Sequence, residues 1–302
     1  MQTVTVLLSV YKGTNYLIEL LDSILSQEGV KVDIFIRDDG SDQETTFKIL
    51  EDYSGNTNIH CLYEKNLGAG ASFVELLRMA PESEFYAFAD QDDVWLPGKL
   101  RKAVDTLQKV ETHDAPLLYF CNYNIIDGKG LIIQHGHERH LKITKQNALF
   151  ESFAPGCSMV FNKNLLELVR THLPDQPFIH DRWLFLSALF MGRVFVDDTP
   201  LLNYRLHDNN VVGCLTEKEK KKSFNRLLTP SSFSSSDYAK MLLSQYSQLL
   251  SDDDKVIISR MAVYKDRFSA RCHIAFSPAY ALAYGGVLRR VYWMLRILLK
   301  KV

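Results

Sequence analysis

Phe85-Tyr86-Ala87-Phe88-Ala89-Asp90-Gln91-Asp92-Asp93-Val94-Trp95 sets five apolar residues against three carboxylates. The apolar run predicts a buried strand, with the acidic cluster crowded onto its end. Like charges about 4 Å apart repel by roughly 4 kcal/mol at an effective dielectric near 20, so such a cluster takes up protons or recruits a cation. A divalent cation with oxygen ligands is the simplest resolution. The plainer alternative is a solvated acidic turn that opens the next helix, because Asp is favoured at helix N-termini.

Working outward, the chain upstream alternates. Thr3-Val4-Thr5-Val6-Leu7-Leu8-Ser9-Val10 reads as an opening strand, and Leu17, Leu20, Leu21, Ile24 and Leu25 recur at helical spacing, predicting a core-facing helix over 15–26. Val32-Asp33-Ile34-Phe35-Ile36 is a second strand, followed by a polar helix over 43–53, a strand over 59–64, a helix over 70–79 and the strand over 84–89. Strand and helix in alternation predict a parallel α/β sheet, whose ligands sit at the carboxyl ends of the strands. The polar runs fall there: Asp38-Asp39-Gly40-Ser41-Asp42, Asn66-Leu67-Gly68-Ala69-Gly70 and the acidic cluster. Downstream, a helix over 99–110, a strand over 117–122, strands near 158–162 and 199–206 and a helix over 182–191 complete a mixed sheet.

The composition narrows the function classes. With 302 residues, 46% of them hydrophobic, and a formal net charge of -1, the chain can bury a large core and gives no global reason to bind nucleic acid. Cys61, Cys121, Cys157, Cys214 and Cys272 are scattered and odd in number, which argues against a disulfide framework and a zinc site and for a reducing cytosol. His135, His137 and His140 match no zinc spacing and read as a solvated loop. The opening residues lack the features of a secretory signal, and no stretch of 18 uncharged apolar residues predicts a membrane span.

From about residue 216 the character changes. Lys218, Lys220, Lys221, Lys222 and Arg226 form a basic run, and Ser231-Ser232-Phe233-Ser234-Ser235-Ser236 precedes a helical tail. Over 287–302, Leu288, Val291, Leu295, Leu298 and Leu299 are set against Arg289, Arg290, Arg296, Lys300 and Lys301. That composition suits a helix lying on an anionic membrane surface, or one docked on its own domain with the basic face solvated.

Among nucleotide-binding motifs, a dinucleotide fingerprint would need glycine where Phe73 stands, and no phosphate-binding P-loop is present. A carboxylate at the end of the second strand is suited to a pyrimidine N3–H or a ribose hydroxyl, with Gly40 allowing close backbone approach.

Ser9-Val10-Tyr11, Asp38-Asp39-Gly40-Ser41-Asp42, Asn66-x-Gly68 and Asp90-x-Asp92-Asp93-x-Trp95, each at a strand end and in this order, resemble family 2 nucleotide-sugar glycosyltransferases of the GT-A fold. The resemblance covers about residues 3–213 and is nearest to bacterial rhamnosyltransferases of polysaccharide assembly. It implies a GT-A domain over 1–215, a Rossmann-like, mostly parallel sheet flanked by helices. The donor half would be about 1–98 and the acceptor half about 99–215, with 216–302 a basic linker and helical C-terminal extension. It further implies that Asp39 contacts the base, that Val10, Tyr11, Asn66, Gly68 and Gln91 border the donor, and that Asp90 holds the ribose side. Asp92 would hold a Mg2+ or Mn2+ on the diphosphate. Asp90 and Asp93 are further metal candidates, Asp93 alternatively capping the helix near Pro97.

Phe178-Ile179-His180-Asp181-Arg182-Trp183 resembles the family's acidic motif, which makes Asp181 the base that deprotonates the acceptor; a helix N-cap is the plainer role. Gly156, Cys157, His180 and Trp183 fall where the family lines the acceptor site, Cys157 being a small buried residue without thiolate activation. Tyr204-Arg205-Leu206-His207-Asp208-Asn209-Asn210 resembles the segment that closes over the diphosphate, with His207 an additional metal or phosphate ligand and Arg205 facing the diphosphate.

The expected activity is inverting, metal-dependent transfer of a sugar, L-rhamnose from dTDP-rhamnose, onto a saccharide or lipid-linked glycan, in the cytoplasm or on the cytoplasmic membrane face. A UDP-hexose donor or a lipid-phosphate acceptor keeps the same fold. A catalytically silent nucleotide-sugar-binding scaffold is the alternative from another class, disfavoured by Asp92, Asp181 and His207 occurring together. A nucleotidyltransferase would need a glycine-rich basic phosphate loop, for which Ser9 to Asn15 offers only Lys12 and Gly13.

Overall fold

A computed structural model describes residues 1–42, 44–110, 114–136, 142–206, 234–280 and 287–302. The first half alternates as expected: β1 (Thr3–Val10), α1 (Asn15–Leu25), β2 (Lys31–Asp39), α2 (Glu44–Tyr53), β3 (Ile59–Glu64), α3 (Ala69–Met79) and β4 (Phe85–Asp90). These four strands are parallel and in a register that sets Val10 opposite Asp38, Ser9 opposite Asp90 and Asp39 opposite Glu64. The polar strand ends therefore meet along one edge of the sheet.

The second half continues with β5 (Val94–Trp95), α4 (Lys99–Gln108), β6 (Leu117–Ile126), β7 (Ile132–Gln134), α5 (Lys145–Ala148), a 3-10 turn (Gly156–Ser158), β8 (Met159–Asn162), α6 (Lys163–Thr171), α7 (His180–Met191) and β9 (Arg193–Arg205). The strand order is β3-β2-β1-β4-β8-β6-β9-β5, with β7 on the flank of β6. β8 is antiparallel to both β4 and β6, and β6 is parallel to β9. β6 and β9 thus run in the direction of β4 and bring their carboxyl ends to the same edge.

Alternate residues of the strands feed two cores, as a period of two requires. Val6, Leu8, Ala87 and Ala89 face Leu17, Leu20, Leu21 and Ile24 of α1 and Leu100, Ala103, Val104 and Leu107 of α4. Leu7, Tyr86 and Phe88 face α3, α6 and α7 on the other side. That second core also takes in the C-terminal helices α8 (Ser235–Tyr246), α9 (Asp252–Ala262), α10 (Phe268–Phe276) and α11 (Val287–Leu298). Trp183 stacks on Tyr246 with ring centroids 5.4 Å apart, and Ser187 Oγ and Tyr246 Oη share a hydrogen bond of 2.8 Å. The C-terminal segment is thus packed into the layer that carries α7. The boundary near 215, the basic run and Ser231 to Phe233 lie outside the described residues, as do His137 and His140.

The short elements β5, β7 and α5 are not expected from the sequence, and two longer ones, α6 and β9, also differ. α6 arises because the Asn162 side chain accepts from Leu165 N–H at 3.0 Å, a proper N-cap, while Leu165, Leu166 and Val169 bury one face. β9 starts at Arg193, well before 199, because Arg193 to Asp197 pair in register with Leu117 to Cys121 of β6, and Pro200 sits where that register shifts, the place where a sheet tolerates proline. Among the described residues no helix is long and apolar enough to cross a membrane.

The turn from α7 into β9 has no room for a side chain. A Cβ on Gly192 would lie 1.9 Å from the Pro116 carbonyl oxygen, which itself accepts from Arg193 N–H at 2.9 Å. Gly192→Ala must push two backbones apart, an overpacking change of roughly 1–3 kcal/mol or more. Urea denaturation should show the loss, and an unchanged midpoint would reject this account of the turn.

Candidate active site

β2 ends on Arg37-Asp38-Asp39, all buried. The Arg37 guanidinium pairs with the Asp39 carboxylate and donates to Ser72 Oγ at 3.0 Å and the Lys65 carbonyl at 2.8 Å. Asp39 also accepts from the N–H groups of Leu67 and Gly68, each at 2.9 Å, and Asn66 Nδ2 donates to the Asp39 carbonyl at 2.8 Å. Asp38 is closed off by the N–H and hydroxyl of Ser41. Gly40 takes a φ of +76°, and a Cβ there would come within 2.7 Å of Asn66 N. The sequence assigned Asp39 to the base of a nucleotide. Its carboxylate is 2% exposed and accepts from Arg37 and two backbone N–H groups, so it holds the 65–68 loop onto the strand end, and exposed Asn66 and Gly68 form the accessible surface beside it.

The acidic turn follows β4. Gln91 clamps the end of β1, accepting from Tyr11 N–H and donating to the Tyr11 carbonyl, both at 3.0 Å. Val10, buried, ends that strand, and Tyr11 is exposed at the rim. Asp90 and Asp92 are partly exposed. Asp93 is fully enclosed; one carboxylate oxygen accepts from Arg205 N–H at 3.1 Å and the other, Oδ2, has no partner. Asp93 therefore does not cap the next helix, α4, whose N-cap position is Gly98. Ligand atoms of Asp90, Asp93 and Cys157 all lie within 4.8 Å of one another.

The charges are strongly coupled to burial. Desolvation, then the charges of Asp92 and Asp181, pushes Asp90 up to about 7. Burial and the neighbouring Asp90 and Asp92 raise Asp93 as well, and burial beside these carboxylates raises the Cys157 thiol. Behind the turn, burial brings Lys99 down to about 8 against the opposing pull of Cys121, Cys157, Asp93 and Asp90. A hard divalent ion fits the carboxylates, and the orphaned Asp93 oxygen is of the right kind; a protonated thiol is not.

Asp181 lies in the first turn of α7, with Ile179 at the N-cap position, so it is not the cap. Its Oδ1 accepts from Arg182 N–H at 2.5 Å and its Oδ2 from Gly156 N–H at 3.1 Å. Gly156 opens the 3-10 turn whose next residue, Cys157, brings its thiol within 4.8 Å of ligand atoms of Asp90 and Asp93. One short turn thus touches both Asp181 and the acidic turn.

Four further residues assigned to the acceptor or the diphosphate are enclosed. Trp183 is fully buried against Tyr246 and lies in the core, away from any acceptor surface. Cys157 is also fully buried and lies under the acidic turn. The His180 ring stacks on Phe73 at 4.1 Å and meets Phe88 edge-on at 4.9 Å, with both nitrogens enclosed, and burial lowers its basicity. Arg205 is 1% exposed and stands behind the turn: it donates to the Asp92 carbonyl at 2.8 Å and Glu19 at 2.5 Å, and it lies 4.2 Å over the Tyr16 ring. His207, Asn209 and Asn210 lie outside the described residues.

Sequence reasoning missed Arg37, Lys99 and Glu19. Arg37 ends an apolar strand beside two aspartates, and Lys99 falls on the same helical stripe as Leu100, Ala103, Val104 and Leu107, both readable signals of buried cations.

A family model described as "Glycosyl transferase family 2" matches residues 5–168, more than half of the chain. A dTDP-rhamnosyl transferase, RfbG of Shigella flexneri, is 28% identical over 224 residues, which are 68% of this chain and 73% of that protein. An uncharacterized glycosyltransferase of Rickettsia typhi is 26% identical over 225 residues, 72% of this chain and 69% of the relative. Among solved structures, S. aureus TarS 1-349 in complex with UDP-GlcNAc superposes with a TM-score of 0.60 at 18% identity, over 98% of this chain and 79% of that one. The mannosyltransferase PcManGT from Pyrobaculum calidifontis in complex with GDP-Man and Mn2+ gives 0.54 at 15% identity, over 98% and 84%. These likenesses show the fold, GT-A.

With Asp90 at about 7 in the folded chain against an ordinary 3.8, the native state holds the extra proton between these values. Its contribution to stability is therefore present at low pH and lost as pH rises through about 7. Asp90→Asn should raise the thermal midpoint of the metal-free protein more at pH 8 than at pH 5. An equal shift at both would contradict the assignment.

Proposed function

The chain belongs to glycosyl transferase family 2 and is a glycosyltransferase, and from that premise we propose that it moves L-rhamnose from dTDP-rhamnose onto a saccharide hydroxyl with inversion. The single observation that carries the mechanism is the 3-10 turn Gly156–Ser158. It holds Asp181 through Gly156 N–H and sets the Cys157 thiol within 4.8 Å of ligand atoms of Asp90 and Asp93, which supports a base close to the leaving-group side.

Asp181, oriented by Gly156 and Arg182, takes the proton of the acceptor hydroxyl as that oxygen bonds to the anomeric carbon. The bond from the same carbon to the diphosphate breaks on the opposite face, which inverts the configuration. Tyr11, Asn66, Gly68 and Gln91 border the nucleotide. Asp92, with Asp90 and the enclosed Asp93 behind it, would hold a Mg2+ or Mn2+, His207 being a further ligand candidate. When bound, the cation offsets the charge that develops on the leaving diphosphate. Rhamnose as the sugar is supported by the name of the Shigella relative; TarS, bound to UDP-GlcNAc, keeps a UDP-hexose as the competing donor.

A cytoplasmic site of action at the membrane face, on a lipid-linked glycan, is supported by α11. Trp293 packs on Phe150 and Ile297 is buried, while Val291, Leu295 and Leu299 leave a stripe that is 43–45% exposed, with exposed Arg290 and Lys300 beside it. The helix is thus docked along one face and apolar along another.

Nucleotide release across dTDP-, UDP- and GDP-sugars with Mn2+ should single out dTDP-rhamnose. Asp181→Asn should cut turnover by about 100-fold or more while donor binding persists; turnover near wild type would remove Asp181 from the reaction. For the membrane contact, flotation with anionic liposomes should fall when Val291, Leu295 and Leu299 are all changed to Glu. Equal flotation would reject it.

A further inference from the structure

Lys99 has no role in the reaction as described, yet its side chain is wholly buried and its ammonium has no hydrogen-bond partner. It sits 3.3 Å from the centroid of the Trp95 ring, on the apolar stripe of α4. An enclosed ammonium is expensive without compensation, and a methionine would fill the same stripe without that cost. Compensation is at hand in Asp93, whose Oδ2 is the orphaned oxygen of the acidic turn, and in Asp90; both act electrostatically on Lys99. Arg205, another buried cation beside the turn, has its guanidinium paired with Glu19 and donating to the Asp92 carbonyl, and its backbone N–H donates to Asp93.

We propose that Lys99 is a positioning residue, a built-in counter-cation beneath the acidic turn that weakens capture of a free divalent ion, so that the ion is taken up together with the nucleotide diphosphate. Three carboxylates, Asp90, Asp92 and Asp93, and one ammonium leave two negative charges when all are ionised, the charge of one divalent ion. Without Lys99 the turn attracts a bare cation more strongly, because a buried positive charge that acts on Asp90 and Asp93 no longer opposes binding. With Lys99, the negative phosphates supply the extra attraction, and metal and donor arrive coupled.

This rests on the acidic turn being the metal site. The test is calorimetric titration of Mn2+ alone, then of Mn2+ with dTDP, into wild type, Lys99→Met, Lys99→Arg and Asp92→Asn at pH 7.5. Lys99→Met should bind free Mn2+ at least about tenfold tighter and show a smaller gain from dTDP, and Lys99→Arg should stay near wild type. Equal or weaker binding in Lys99→Met would overturn the proposal and make Lys99 a prop of the fold. If Lys99→Met does not fold, Lys99→Gln carries the same comparison, and failure of both neutral variants beside a folded Lys99→Arg would also overturn it. Asp92→Asn reads the site itself: Mn2+ binding as in wild type would count against the metal-site reading, whereas Lys99 is judged on its own arm.

Discussion

Placing carboxylates at the ends of buried parallel strands is the constraint on which this molecule is built. Every such group must find compensation where water is scarce, and the chain supplies it differently at each strand. Asp39 is met by Arg37 and two backbone N–H groups, Asp38 by Ser41, Asp93 by Arg205 N–H, and Asp181 by Gly156 and Arg182. Breaking a buried charge pair by removing one partner typically costs about 3–5 kcal/mol, so these contacts fix the loops as firmly as the cores fix the helices. Carboxylates that are fully saturated build the site. Asp90, Asp92 and Asp181 are the ones that stay partly exposed.

The parallel half of the fold was legible because its signals are local. Each strand is an apolar run and each helix an apolar stripe, so the strand at 59–64 is found where expected and the helix expected over 70–79 begins one residue earlier. What depended on distant partners was not legible. Trp183 beside Asp181 reads as a residue lining the acceptor site, and in the fold it is buried with Tyr246 stacked on it. Arg205 reads as a phosphate ligand until Glu19, at the other end of the sequence, is found paired with it. Asp39 kept its place at the strand end, but its saturation by Arg37 and the 67–68 backbone could not be inferred from turn chemistry alone. In each case the residue type was right for the neighbourhood, and the direction of its side chain was decided by packing.

The acidic turn shows how little of a site is contributed by its signature residues. Its shape comes from Gln91 clamping Tyr11, from Arg205 reaching under it and from the 3-10 turn closing its rear. These supports come from β1, β9 and the approach to β8, which are neighbours only because the sheet order interleaves the two halves of the chain.

Tyr238 of α8 accepts from Ile179 N–H at 2.8 Å, and its ring lies 4.2 Å from the Arg182 guanidinium. A single side chain, 59 residues downstream of Ile179, therefore grips the backbone before Asp181 and the side chain after it. The consequence concerns modularity. A chimera that keeps residues up to the end of the sheet and borrows its C-terminal helices from a relative would exchange part of the mounting of Asp181 with them, so the start of α7 and the C-terminal helices are inherited as one unit.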